Sequence, residues 1–501
     1  MTITQALEKL KDLEHTLLAY YQAIGCLNYD GETVAPKNSA PARGETLGVL
    51  GGVVHGLITA PETGEIIDTL LSGGDEVSLM DRRRAEVLKD DRDELTRVPA
   101  DEYMAYQQLL AEAGAVWREA KLSSDFDAFA PYLEKIVDYN RRLGERKDPS
   151  RPAYDVLLDT YEKGASMAML EPFFDQVRRA LTPVVHEIAQ CPQPDAPFLH
   201  GIYPVHEQKV FTDRVMALMG ISRDDCAVGE TEHPFTDGSN KHDVRITTHY
   251  HEDMVLSNLY SVIHEGGHAL YELGIGDNLQ GTVLASGSSM GIHESQSRFY
   301  ENLIGRSLPF CEVLLPLMRE CFPRQTEGLD VDTLYRCVNI ARPSLIRTEA
   351  DELTYPMHVM VRYELEKCLM SGYLKVRDVP GAWNDMVREY LGIEVPDHRR
   401  GCLQDSHWSG GMIGYFPGYA LGSAYGAQML KVMERDVDVW GGVRRGDLSP
   451  VTGWLGEKIH HYGQLLTPAQ LLQSACGAPF DPKFYTDYLI DKYSALYGLR
   501  R

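Results

Sequence analysis

The sequence predicts a mostly α-helical protein with one small β-sheet. Three observations carry that prediction. Apolar residues recur at helical spacing over most of the chain, β-branched alternation is confined to one short stretch, and the composition is ordinary for a globular protein. Of 501 residues, 44% are hydrophobic and 24% are charged, values that exclude disordered, collagenous and membrane-embedded classes. At ~150 residues per domain this length allows about three domains, or one large one.

The first helix is read over residues 4–24, where Leu7, Leu10, Leu13, Leu17 and Leu18 build one apolar stripe. Residues 31–54 open with turn formers and then return to a helical pattern. Residues 79–95 (LMDRRRAEVLKDDRDEL) are charged on most faces and read as a solvated helix laced with i,i+4 pairs. The best break in the first half is CPQPDAPF at 191–198, where the prolines stop any helix. The clearest strand is Asp243 to Tyr250, with Val244, Ile246 and Thr248 on one face. A turn at Asp237-Gly238-Ser239-Asn240 precedes it and a helix follows.

Charge and cysteine usage narrow the function classes. Lys+Arg 49 against Asp+Glu 73 leaves a net charge of −24. Such a field repels a phosphate backbone and anionic membranes, so no nucleic-acid or membrane partner is expected. The nine cysteines run from Cys26 to Cys476 without a CxxC pair. That argues against a disulfide framework and a cysteine-only zinc site, and for a reducing compartment. The amino terminus has no unbroken apolar segment, and no stretch approaches 18 apolar residues, so a cytoplasmic location is expected.

The stretch after the strand carries the chemistry. Leu256, Leu259, Ile263, Leu270 and Leu273 keep helical spacing, and Gly274 suits a helix C-cap. Inside it lies His264-Glu265-Gly266-Gly267-His268, an HExxH pattern. At ~100° per residue the two histidines sit about 40° apart on one face, one turn apart, so both imidazoles reach one zinc ion. Glu265 projects beside that ion, where it can take a proton from an activated water. Gly266 and Gly267 each cost about 1 kcal/mol relative to Ala inside a helix, so another backbone or a substrate is expected to come close there.

Chance places HExxH in roughly one of a few tens of chains this long, so a third ligand is needed. A Gly/Ser-rich loop from Ala285 to Met290 delivers a new helix with His293 and Glu294 in its first turns. Adjacent helical residues point ~100° apart, so one of the two faces the metal. Glu294 is preferred, giving a His2Glu set, with His293 as the alternative.

These residues belong to an ordered set. The set comprises His233-Pro234-Phe235, Asp243-Val244-Arg245-Ile246-Thr247, the HExxH pentapeptide, His293-Glu294-Ser295-Gln296, Ile346-Arg347-Thr348-Glu349-Ala350-Asp351, and Gly401-Cys402-Leu403-Gln404-Asp405-Ser406-His407-Trp408. In it the chain resembles the M32 metallocarboxypeptidases, the thermostable carboxypeptidase 1 type. The motifs span residues 233 to 408, the length also matches, and the first 200 residues carry no motif.

The resemblance implies a zincin-type HExxH metallopeptidase, mostly α-helical with a small sheet and a deep substrate groove, usually a homodimer. It implies one peptidase domain over 1–501, with a helical amino-terminal half (1–200) and a half carrying the motifs (201–501). The implied activity removes single residues from peptides with a free carboxy terminus, with zinc as the metal and cobalt able to substitute.

Each remaining motif has two readings. Arg347 is either a structural salt bridge to nearby acids such as Glu349, Asp351 or Glu352, or a clamp for the terminal carboxylate of the substrate. His407 is either a surface residue or a site residue that holds the substrate or stabilises the oxyanion, with the hydroxyl of Tyr415 or Tyr419 as donor. Both tyrosines could equally be core; Tyr419 is slightly preferred as the donor. Gln404, Arg245 and Tyr415 are placed with the substrate. Arg245 is also expected to pair with Asp243 and hold the strand, whose free edge would bind extended peptide. His233 is expected to buttress the site, and His460-His461 to lie on the surface. The nearest rivals are an endopeptidase, a dipeptidyl carboxypeptidase, and a non-catalytic scaffold that binds peptides. An intact Glu265 speaks against the scaffold.

Overall fold

A computed structural model describes residues 1–500, apart from the side chain at position 100. The chain opens with four helices: α1 (Ile3–Thr33), α2 (Ala40–Thr59), α3 (Pro61–Ser72) and α4 (Leu79–Thr96). Helix α1 starts at a capping box in which Thr2 and Gln5 satisfy each other's backbone N–H groups. It runs on to Thr33, so the turn formers at its far end are absorbed until Pro36 stops the pattern. The buried stripes of these helices, including Leu10, Leu17, Ile58, Ile66, Leu70 and Leu88, form an apolar cluster of their own.

Helix α4 departs from the expected solvated helix. Ala85 and Leu88 are buried, and the guanidinium of Arg84 turns inward to the buried carboxylate of Glu14 on α1. Its Nε lies 3.0 Å from Glu14 Oε1. A charged sequence thus hides one cation because a partner helix brings a carboxylate to meet it.

From Val98 onward most buried apolar residues form one contiguous core that reaches Tyr493, with Ile275, Leu279 and Leu284 in a small cluster apart. The proline-rich stretch at 191–198 ends a helix (Met167–Ile188) as expected, but it does not divide the core, because Ala196 and Phe198 are buried in it. Among the described residues no helix is long and apolar enough to cross a membrane.

Among the described residues, strand content is confined to one three-stranded sheet: β1 (Cys226–Glu230), β2 (Thr236–Asn240) and β3 (Asp243–Thr248), in the order β1-β3-β2. β1 runs parallel to β3, with Cys226 opposite Val244, and β2 runs antiparallel to it, with Thr236 opposite Ile246. Two expectations are corrected here. Residues 237–240 lie in a strand rather than a turn, because β3 offers them a pairing edge. β3 is the central strand and has no free edge for peptide. Val244, Ile246 and Thr248 are fully buried on one face as the alternation predicts. Asp243 and Arg245 pair side by side, Nε to Oδ1 at 2.7 Å.

Candidate metal centre

The helix Val255–Leu273 packs against the sheet and carries the HExxH residues. Its two glycines have distinct neighbours. A Cβ on Gly267 would lie 2.6 Å from the Gln296 carbonyl oxygen and 2.7 Å from Ser297 Cα, so a second backbone passes there. A Cβ on Gly266 would meet the Met219 side chain at 2.7 Å. The close backbone belongs to the helix Met290–Arg298, which starts where Ser289 accepts the Ile292 N–H. Gly274 follows the helix end but is not left-handed. It is small because His460 packs on it, where a Cβ would meet the imidazole at 2.7 Å.

The two helices bring His264, His268 and Glu294 together. Their donor atoms lie within 4.8 Å of one another. Glu294 Oε2 is 3.7 Å from His264 Nε2 and 3.6 Å from His268 Nε2. Ligand atoms ~2.1 Å from a zinc ion at tetrahedral angles lie about 3.4 Å apart, so the spacing and the His2Glu donor set fit that ion. Between the alternatives of the sequence, Glu294 faces the pair. His293 instead stands behind His268, ring nitrogen to ring nitrogen, with its Nε2 2.8 Å from Glu272 Oε1.

The second layer decides which imidazole nitrogens point at the ion. His264 Nδ1 lies 2.9 Å from Glu301 Oε2, and a carboxylate only accepts, so Nδ1 carries the proton and Nε2 keeps its lone pair. Glu272 likewise takes the Nε2–H of His293, which leaves His293 Nδ1 to accept from His268. Arg298 bridges the acids, giving Nε to Glu294 Oε1 at 2.7 Å and a terminal nitrogen to Glu301 at 3.0 Å. Glu301 sits in a π-helical turn, Phe299–Ile304, that continues the helix of Glu294.

Titration follows this layout. Burial opposes charge on Glu294, but the Arg298 guanidinium and the two imidazoles hold it well below the usual carboxylate range. Burial pushes His268 down to about 3, so it is a neutral donor. Burial also opposes charge on His264, yet the Glu294 and Glu301 carboxylates hold it above its ordinary value. Glu265 is buried beside the pair and burial raises its carboxyl. Thr236 on β2 donates to its Oε2 at 2.7 Å.

A cavity of about 1130 Å3 opens over these groups, lined also by Phe235 and Thr236, by Tyr161, Tyr415 and Tyr419, and by residues of α4. Tyr415 and Tyr419 thus reach the site. His407 lies behind them, its Nε2 3.4 Å from the Tyr419 hydroxyl and its ring packed on Phe416. Burial pushes His407 down to about 4 and raises Tyr419, so both are neutral near pH 7.

The residues read as substrate contacts divide. Arg347 is 6% exposed and does not line the cavity. It is bound to Asp405 at 2.9 Å and to the Tyr355 hydroxyl at 3.0 Å, so its salt bridge is real but its partner is distant in sequence. Its guanidinium lies over the Tyr419 ring at 4.9 Å. Gln404 is spent inside the fold, accepting the Arg347 N–H at 2.9 Å and donating to the Leu345 carbonyl at 3.0 Å. Arg245 stays with Asp243 and stacks over Tyr29, also outside the cavity lining.

Two further expectations are corrected. His233 is exposed and buttresses nothing, since only the adjacent Pro234 and Phe235 reach the cavity. His460 is buried, not on the surface, with Nε2 2.9 Å from Gln296 Oε1. Sequence reasoning missed Glu301, Glu272 and Thr236. The run Glu294, Arg298, Glu301 held the signal for the first, at spacings that read equally well as a surface ion-pair ladder.

Comparison with known proteins agrees with this geometry. Residues 9–493 match the family described as Carboxypeptidase Taq (M32) metallopeptidase. Carboxypeptidase 1 of Bacillus subtilis is 38% identical, over 97% of this chain and 98% of its own length. Thermostable carboxypeptidase 1 of Thermus thermophilus is 34% identical, over 99% of this chain and 100% of its own. The crystal structure of the M32 carboxypeptidase from Deinococcus radiodurans superposes with a TM-score of 0.96 at 33% identity, covering 99% of this chain and 100% of that one. A helical chain with a convergent His2Glu set, matched end to end by such relatives, belongs to the M32 family of metallocarboxypeptidases.

Proposed function

We propose that the protein releases single residues from the free carboxy termini of peptides, with broad tolerance of side chain. It would use zinc, or cobalt in its place, on His264, His268 and Glu294. One observation carries this reading: three metal-type donor atoms converge at a cavity into which a buried carboxylate, Glu265, also opens. When bound, zinc supplies Lewis acidity that polarises a carbonyl and lowers the pKa of water toward ~7.

The chain's own groups do the rest. Glu265, steadied by Thr236, takes the proton of the attacking water and passes it to the leaving amine. Tyr419, kept protonated by burial, donates its hydroxyl to the oxygen on which charge develops, with His407 behind it and Tyr415 beside it. The terminal carboxylate is assigned to this aromatic end, where Arg347 supplies positive charge directly behind Tyr419. Arg347→Ala should raise KM for free-carboxylate peptides in steady-state kinetics, and an unchanged KM would remove this assignment.

The reading is tested by offering one peptide as free acid and as carboxy-amide, with and without chelator, and following products by mass spectrometry. Stepwise loss of single residues from the acid alone, abolished by chelation, is expected. Internal cuts in both forms would make it an endopeptidase, and release of dipeptides a dipeptidyl carboxypeptidase. We further propose a cytoplasmic homodimer. The nine cysteines are all unpaired, and α2 is an apolar helix that leaves Val49 and Val53 exposed. A monomer in sedimentation would remove the dimer.

A further inference from the structure

Glu162 is a carboxylate only 3% exposed that takes no part in the steps above. It follows the short helix Ala153–Tyr161 and sits where three elements meet. Its Oε2 accepts the Gly291 N–H at 2.7 Å, and its Oε1 accepts the Tyr425 O–H at 3.2 Å. Gly291 is in the first turn of the helix that carries Glu294. Tyr425 is on the helix Pro417–Asp436, one turn beyond Gly422. A Cβ on Gly422 would lie 2.8 Å from Glu294 Cβ, so these two helices touch at the ligand itself. One carboxylate therefore ties down both helices that fix where Glu294 stands.

The local chemistry favours that grip. The first N–H groups of a helix have no partner within it, and the oxygens of Glu162 and Ser289 together satisfy two of them. The space is closed as well: a Cβ on Gly291 would meet Glu162 Oε2 at 2.6 Å. The chain neighbours of Glu162 reach the groove. Tyr161 packs edge-on to Tyr415 at 5.2 Å, and Lys163 pairs with Asp90 of α4 at 3.0 Å. Three consecutive residues thus join Tyr415, the ligand helix and α4, all of which line the cavity.

We propose that Glu162 is a positioning residue for the metal centre, holding the helix of Glu294 in the register at which that carboxylate meets His264 and His268. This rests on the reading of those three residues as a zinc site. The test is the zinc dissociation constant, by competition with a chromophoric chelator, for the parent, Glu162→Gln and Tyr425→Phe, together with kcat and KM at saturating zinc. Glutamine keeps the shape but turns an N–H2 toward one of the two donors. The dissociation constant should rise about tenfold in Glu162→Gln, as for other groups that orient metal ligands, and less in Tyr425→Phe. KM should not move, and kcat should recover as zinc is added. Variants that hold zinc as tightly as the parent overturn the positioning role, whatever their melting temperatures. If Glu162→Gln does not fold, Tyr425→Phe decides by the same measure. A parent that takes up no zinc overturns the metal centre and this inference with it.

Discussion

Glu294 is a buried carboxylate and Asp405 a largely buried one, each beside arginines, yet they stand in opposite kinds of site. Asp405 gives each oxygen to a different cation: Oδ1 to Arg347 at 2.9 Å and Oδ2 to Arg362, whose Nε lies 2.8 Å away. Both carboxylate oxygens there are taken up within the fold. Glu294 gives Oε1 to Arg298 and turns Oε2 toward two imidazole nitrogens whose lone pairs are free. The first arrangement is closed and ties the loop of Asp405 to the turn at Arg347 and to the helix Tyr355–Met370. The second is an electron-rich gap that a cation completes. Burial and pairing alone do not mark a functional site; unspent, convergent donor atoms do.

That contrast can be broken from either side. The largest effect is expected at Glu265, the group closest in kind to chemistry rather than support. Glu265→Gln should keep zinc and lose about 10²–10⁴-fold in kcat. Zinc retention with turnover within a few-fold of the parent would remove its role as base.

Next comes Asp405→Asn, which strands two buried guanidinium groups and should cost about 3–5 kcal/mol in denaturant unfolding. The sign with pH follows from the shift. Burial opposes the charge, but Arg362 and Arg347 hold Asp405 well below the usual carboxylate range. Its stabilisation is therefore full above the ordinary carboxylate pKa and is lost as pH falls below it. A variant that keeps the parent's acid profile would show that Asp405 is not the anchor.

Glu301→Gln probes the other network from behind. It should weaken zinc binding about 10- to 100-fold by loosening the tautomer of His264, read by chelator competition. Unchanged affinity would mean that the histidine holds its orientation without the carboxylate. The smallest effect is expected at Lys163, whose pairs with Asp90 and Asp159 are partly exposed. Lys163→Ala should cost at most about 0.5 kcal/mol, and less at high salt. A larger, salt-independent loss would place that pair with the closed networks.

Much of the site was legible in the chain because it lies on short, regular stretches. His264, Glu265 and His268 occupy one helix, where a fixed angle per residue sets which side chains share a face. The two glycines announced a close approach, and at Gly267 the neighbour is indeed a backbone. The strand Asp243–Thr248 and its pairing of Asp243 with Arg245 followed from local alternation. Contacts between elements were not legible in this way. Arg347 has acids two to five residues away and binds none of them, taking Asp405 instead. His460 looks like a polar surface residue until it packs on Gly274 and Gln296.

The sequence by itself therefore determined the helical class and put His264, His268 and Glu294 forward as candidate metal ligands, since each depends on residue identity and on spacing within one element. The tertiary structure decided that β3 is central and without a free edge, that His293 stands behind His268 against Glu272, and which carboxylates face the imidazoles. Those outcomes depend on how helices and strands distant in the chain pack. Packing follows from the shape and burial of whole faces, which no local spacing encodes.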